Sequence, residues 1–278
     1  LKEAGASTSD GFWSVPSPGT LAVFCEDRYF HDHFKFVQAL AEAVRPEYEA
    51  IAATGLQLQI DCPDLAMGAH TRHNGCTEAE FKAIADANVA ALNYALQAVP
   101  QEQVRRSAPS ALCPPPLSSL AHAASCTSCA SSPSAPASLA LPFAHPAAAA
   151  AASQVRMHIC WGNYAGPHHH DIAADSVWPI VANVKCKYIL IEAANPRHGH
   201  EVAAFERAVA SGLFDSSKVI VPGVIDTTAA RVEHPSLVAE RLLRFVRVVG
   251  HPSRVIAATD CGFASTARSV AITADVAW

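Results

Sequence analysis

The sequence predicts an α/β protein of the (β/α)8, TIM-barrel type with part of the ring missing. Three observations predict it. Short apolar strands alternate with amphipathic helices, the pattern of parallel βα units. Those strands end in polar, chemistry-bearing residues, as barrel strands do at their C-terminal mouth. Only about five or six strands are legible, fewer than a closed ring needs.

In chain order, residues 31–54 carry Phe34, Val37, Leu40, Ala41 and Val44 at helical spacing, and Pro46 is expected to start a second helix. "GLQLQID" (55–61) reads as a strand. "TEAE" (77–80) is a capping-box signature opening a helix with Phe81, Ile84, Asn88, Leu92 and Leu96 near one face. Further on, strand 155–160, helix 175–184, strand 187–192 and a helix at about 199–211 alternate. Strand 218–226, helix 235–249 and strand 254–260 complete the series. The first strands and the final helix of a barrel are expected to be absent, so the chain reads as a fragment or processed product.

Residues 107–153 interrupt the alternation with Ala/Ser/Pro sequence of low complexity, expected to be disordered. "QVR" occurs at 103–105 and again at 154–156, 51 residues apart, which predicts an insertion into a loop. A genuine long surface loop is the alternative, since loop length costs little entropy. The expected organisation is a barrel part over 1–106, the insert over 107–153, and a second barrel part over 154–278.

The charge balance excludes several partners. Twenty basic and 25 acidic residues leave a net charge of −5, and no basic stripe points to nucleic acid. No run of about 18 apolar residues exists, so no membrane helix is expected. The N-terminal residues lack the pattern of a secretory signal. Nine irregularly spaced cysteines do not resemble a disulfide framework and point to a reducing, cytoplasmic setting. The one CxxC, Cys126–Cys129, lies within the insert and reads as incidental.

The chemistry gathers at the strand ends: Asp61, His158 with Cys160, Glu192, Asp226, and Asp260 with Cys261. Residues i and i+2 of a strand face one way, so His158 and Cys160 share a face. With Glu192 and Cys261 they make a donor set suited to tetrahedral Zn2+. Two thiolates and a carboxylate leave such a site at a net charge of about −1, a poor activator of water but a good partner for a substrate thiolate. That favours alkyl transfer to sulfur over hydrolysis. Taken singly, each cysteine reads as a small buried hydrophobe. The adjacent His168, His169 and His170 follow a Gly-Pro turn and are expected to shape a loop or pocket rim, with Asp171 capping the next helix.

Several segments carry a family resemblance: "SPGTLAVF" (17–24), "LQIDCPDLAM" (58–67), "MHICWGNYAGPHHHDI" (157–172), "ILIEAANPRHGHE" (189–201), "VIVPGVIDTTAARVEHP" (219–235) and "ATDCGF" (258–263). In this order they resemble the catalytic barrel of the cobalamin-independent methionine synthases, and within that family the short stand-alone members related to epoxyalkane:coenzyme M transferases. The resemblance implies zinc on His158, Cys160, Glu192 and Cys261. It implies Asp61 at the ammonium of an amino-acid thiol, and Asp226 near the same pocket. It implies homocysteine as the thiol and a methylated folate as the usual donor, giving a methyltransferase of methionine biosynthesis. Cys62 departs from the acidic residue of the larger synthases, and "ASTAR" replaces a glycine-rich continuation after "DCGF". The sequence leaves three alternatives open: transfer of another alkyl group to a thiol, a metal-free decarboxylase of the same fold, and an inactive paralogue.

Overall fold

The computed structural model describes residues 11–99, 155–164, 166–263 and 272–277. The insert at 107–153, with its CxxC, lies outside the described residues.

Six strands form one all-parallel sheet in chain order: β1 (Phe12–Pro16), β2 (Gln57–Asp61), β3 (Val155–Ile159), β4 (Tyr188–Ile191), β5 (Val219–Ile225) and β6 (Ala258–Thr259). The sheet curls into a half-barrel. The curl is measurable at its mouth. β3 and β6 stand three strand spacings apart, about 14 Å in a flat sheet. Yet His158 at the end of β3 reaches Cys261 after β6 at 3.3 Å.

The convex face is the main core. Leu58, Ile60, Met157, Ile159, Ile189 and Ile220 point outward beneath the helices. Alternate residues on the concave face are polar near the base: Gln59 Nε2 donates to Ser14 Oγ at 3.1 Å, and Arg156 Nε donates to Gln59 Oε1 at 3.0 Å. The Arg156 guanidinium stacks on the Phe12 ring at 4.6 Å. Leu190, Val219 and Val221 form a small apolar cluster of their own. One strand face thus feeds the core while the other forms a lined trough.

Helices α1 (Pro18–Phe24), α2 (His33–Ala53), α3 (Met67–His70) and α4 (Glu78–Ala95) lie in the first half. Helices α5 (Ala174–Val181), α6 (Val202–Ala210), α7 (Pro235–Val249) and α8 (Ala274–Ala277) lie in the second. Asp32 caps α2 by accepting from the Lys35 amide, and Val37, Ala41, Val44 and Tyr48 form its buried stripe. Pro46 does not start a second helix, as the sequence led us to expect; it sits inside α2. Pro46 and Glu42 are both exposed, so the carbonyl that proline leaves unpaired lies on the solvent side of the helix. Thr77 and Glu80 complete the expected capping box of α4.

Three further expectations shift. β1 is an addition to the legible strands. The strand expected over 254–260 shrinks to β6 plus an isolated bridge between Ile220 and Val255, because the register slips between Gly223 and Ile225. Asp171 does not cap α5: the cap position is Ala173, without a side-chain bond. Among the described residues no helix is long and apolar enough to cross a membrane.

Candidate metal centre

His158, Cys160 and Cys261 converge, with one ligand atom from each within 4.8 Å of the others. Strand alternation brings the first two to the concave side of β3, and the turn after β6 supplies the third. The 3.3 Å from His158 Nε2 to Cys261 Sγ matches the separation of about 3.5 Å that zinc–sulfur and zinc–nitrogen bonds set across a tetrahedron. His158 and Cys160 are buried, and Cys261 is partly open.

Glu192 is fully buried beside this group but outside it. Its Oε1 accepts the Trp161 amide at 3.1 Å, and its Oε2 accepts from Asn195 Nδ2 at 2.9 Å. Asp61 Oδ1 lies 3.9 Å from His158 Nε2 and has no hydrogen-bond partner. Asp226 is tied into its own loop: Oδ1 accepts from the Thr228 amide at 2.8 Å and hydroxyl at 2.7 Å, and Arg231 stands 3.3 Å from Oδ2. The structure therefore gathers His158, Cys160 and Cys261, sets Asp61 and Glu192 around them, and engages Asp226 locally.

The electrostatics match a thiolate site. The Cys160 thiol donates to Cys261, and with His158 this drives the Cys261 pKa well down, against its burial. Cys160 keeps its proton, pushed up by that bond and by burial. Burial opposes a charge on His158, but the Cys261 thiolate, Asp61 and Glu192 outweigh it and raise the imidazole to about 9. Burial and the Cys261 charge raise Glu192 to about 7. Without a metal the cluster thus balances a thiolate with an imidazolium. The donor set fits zinc: one imidazole, two sulfurs, and a carboxylate in reserve.

A buried carboxylate that sequence reasoning placed only at a strand end organises the mouth. Asp260, 1% exposed, immediately precedes Cys261. Its Oδ1 accepts the amides of Ala193 at 2.9 Å and Ala194 at 2.8 Å; its Oδ2 accepts the Asn195 amide at 2.7 Å and Nδ2 at 2.9 Å. The loop after β4, which carries Glu192, is thereby latched to the turn after β6. Gly223 makes room, since a Cβ there would overlap Asp260 Oδ1 and stand 2.6 Å from its Cα. Asn195 was missed by sequence reasoning, and nothing in its local spacing marks it.

A cavity of about 610 Å3 opens onto the centre, lined by Asp61, Arg156, His158 and Cys261 among others. Fold and site together define an α/β half-barrel with a cluster of one imidazole and two sulfurs that could hold a metal, at the C-terminal ends of its strands. No family model matches the chain, and no curated protein matches it.

Proposed function

We propose that the chain is a zinc-dependent S-methyl- or S-alkyltransferase on a partial (β/α)8 barrel, akin to the cobalamin-independent methionine synthases. His158, Cys160 and Cys261 would hold the metal, and Glu192, now bonded to Asn195 and the Trp161 amide, would be its fourth ligand. The carrying observation is the convergence of His158, Cys160 and Cys261 from β3 and β6 at the mouth of a cavity. Held by these residues, zinc would lower the pKa of a bound substrate thiol so that it reacts as a thiolate at neutral pH.

The residues around the centre suit an amino-acid thiol such as homocysteine. Asp61 offers an unpaired carboxylate oxygen for an ammonium group. Arg156, on the same face of β3 two residues before His158, offers a cation in the same cavity for a carboxylate. The transfer forms one sulfur–carbon bond and breaks the bond between the alkyl group and its donor. The thiol proton must leave, and a folate nitrogen must gain one.

Metal analysis of the purified chain, paired with methylation of homocysteine by methyltetrahydrofolate, tests this reading. Stoichiometric zinc and methionine formation, both lost in Cys261→Ser, are expected. Protein that folds without zinc, or a Cys261→Ser variant with unaltered zinc and turnover, refutes it. Bound zinc without turnover on any alkyl donor favours an inactive metal-binding paralogue. That second reading draws on the open edge at β1, where Phe12 and Trp13 are 50% and 57% exposed.

A further inference from the structure

The loop after β3 builds a second cluster that the reading above does not use. His168, Asp171 and His198 each bring one ligand atom within 4.8 Å of the others. His168 Nδ1 lies 2.7 Å and His198 Nε2 lies 3.1 Å from the same oxygen, Asp171 Oδ2. Zinc–nitrogen and zinc–oxygen bonds of about 2.0–2.2 Å set neighbouring ligand atoms roughly 3.3 Å apart. The three side chains are nearly closed to solvent, at 3%, 11% and 3% exposure.

The rings are held from behind. Trp161 stacks on His198 at 4.3 Å, and Tyr164 stacks on His168 at 4.2 Å. The other nitrogen of each imidazole faces an oxygen: His168 Nε2 the Tyr164 carbonyl at 3.4 Å, and His198 Nδ1 the Glu201 carboxylate at 3.9 Å. Asp171 Oδ1 in turn stands 3.2 Å from His70 Nδ1. Ligating histidines and carboxylates are oriented in this way by their outer partners.

A second, independent observation points to a ligand. His198 is 2% exposed; its Nε2 stands 3.1 Å from Asp171 Oδ2 and its Nδ1 3.9 Å from Glu201 Oε1, ion-pair contacts in which neither nitrogen is aligned for a hydrogen bond. Asp171 Oδ1 and both nitrogens of the buried His70 are likewise without an aligned partner. Burying unpaired polar groups is costly. His168 Nδ1 and Asp171 Oδ2 already share a hydrogen bond, and a cation that also draws on the lone pair of His198 Nε2 removes that cost for the His198 nitrogen facing them. Beside the cluster lies a cavity of about 710 Å3, into which Arg197, Glu201 and Arg207 also project.

We propose that His168, Asp171 and His198 form a second metal site, distinct from the thiolate centre, for a divalent first-row transition cation with an open position toward this cavity. Two imidazoles and one carboxylate without sulfur suit Zn2+, Fe2+ or Mn2+ and leave exchangeable positions. Of the three adjacent histidines only His168 takes part; His169 and His170 are exposed, their rings tilted against each other with centroids 4.0 Å apart.

The test counts metal in full-length chain stripped with a chelator and reloaded with zinc. In a Cys160→Ser/Cys261→Ser variant the thiolate centre is disabled, so failure there and failure here are read separately. That variant is expected to retain one zinc, which is lost when His198→Ala is added and circular dichroism stays native. Wild-type chain loaded with cobalt supplies a readout free of folding doubts. The near-ultraviolet thiolate-to-cobalt band is expected to saturate while weak visible bands from a sulfur-free site continue to grow. A folded double-serine variant that binds no zinc overturns the proposal, as does one whose zinc survives removal of both His168 and His198. In those cases the cluster is a hydrogen-bonded network without metal.

Discussion

Asp260→Asn tests the latch most directly. The carboxylate accepts four hydrogen bonds, two on each oxygen. The amide keeps the shape but turns one acceptor oxygen into a donor. Either the Ala193 and Ala194 amides or the two Asn195 groups then face an NH2 and lose their partner. Hydrogen bonds to a charged acceptor contribute about 1.5–3 kcal/mol each, so two lost bonds amount to roughly 3–6 kcal/mol. Part of this is offset, because burial raises the Asp260 pKa despite its four donors, and a neutral amide escapes that burden. The expected net loss is about 2–4 kcal/mol, a large share of the 5–15 kcal/mol typical of a domain. Urea unfolding followed by the fluorescence of Trp161 and Trp178, both fully buried, reads it as a midpoint lowered by about 1–2 M. A loss below about 0.5 kcal/mol would mean that these bonds do not hold the mouth together.

Other outcomes follow from the same geometry. Gly223→Ala drives a methyl group into Asp260 and is expected to destabilise by about 3 kcal/mol, at the upper end of overpacking, in the same urea assay; a neutral result contradicts the close approach. At pH 7 His158, titrating near 9, and Cys160, pushed up, both carry protons, whereas Cys261 does not. Zinc binding at this cluster must therefore displace about two protons near pH 8, where Glu192 is mostly ionised and His158 still protonated, and affinity is expected to rise about a hundredfold per pH unit there in chelator competition. A flat profile contradicts that protonation pattern. Burial, with the charges of His33 and Arg72, lowers His73 to about 4 from 6.5. Between those values the unfolded chain takes a proton that the folded chain refuses, so stability is full above about 6.5 and falls as pH drops toward 4. His73→Gln is expected to flatten that limb of the stability curve, and an unchanged limb assigns the acid sensitivity to other groups.

Much of the fold was legible because its signals are local. Thr77 and Glu80 announce α4, Pro235 and Gly250 bracket α7, and period-two alternation puts His158 and Cys160 on one face. β1 was not legible, because Phe12 and Trp13 lie exposed at a sheet edge and two prolines follow, so neither alternation nor a buried run marks it. Pro46 misled because proline is read as a helix start, whereas on a solvent face a helix tolerates it. Glu192 was placed correctly at a strand end, but its hold on the Trp161 amide depends on how the curl brings two loops together. The His168–Asp171–His198 cluster, with His70 behind it, was hidden for the same reason. It draws on two loops and the end of α3, and no strand or helix period links their positions.

The strict chain order of the sheet has a temporal side. Each strand can settle against the edge left by its predecessor as the polypeptide emerges, without waiting for later sequence. The thiolate centre has no such freedom. Cys261 is made 101 residues after Cys160, which at about 5–20 residues per second is a delay of roughly 5–20 s. Throughout that interval His158 and Cys160 stand without the Cys261 sulfur that completes their cluster, and Asp260, which latches the β4 loop, arrives only one residue before it. On the ribosome, the centre and its latch are completed in a single late event.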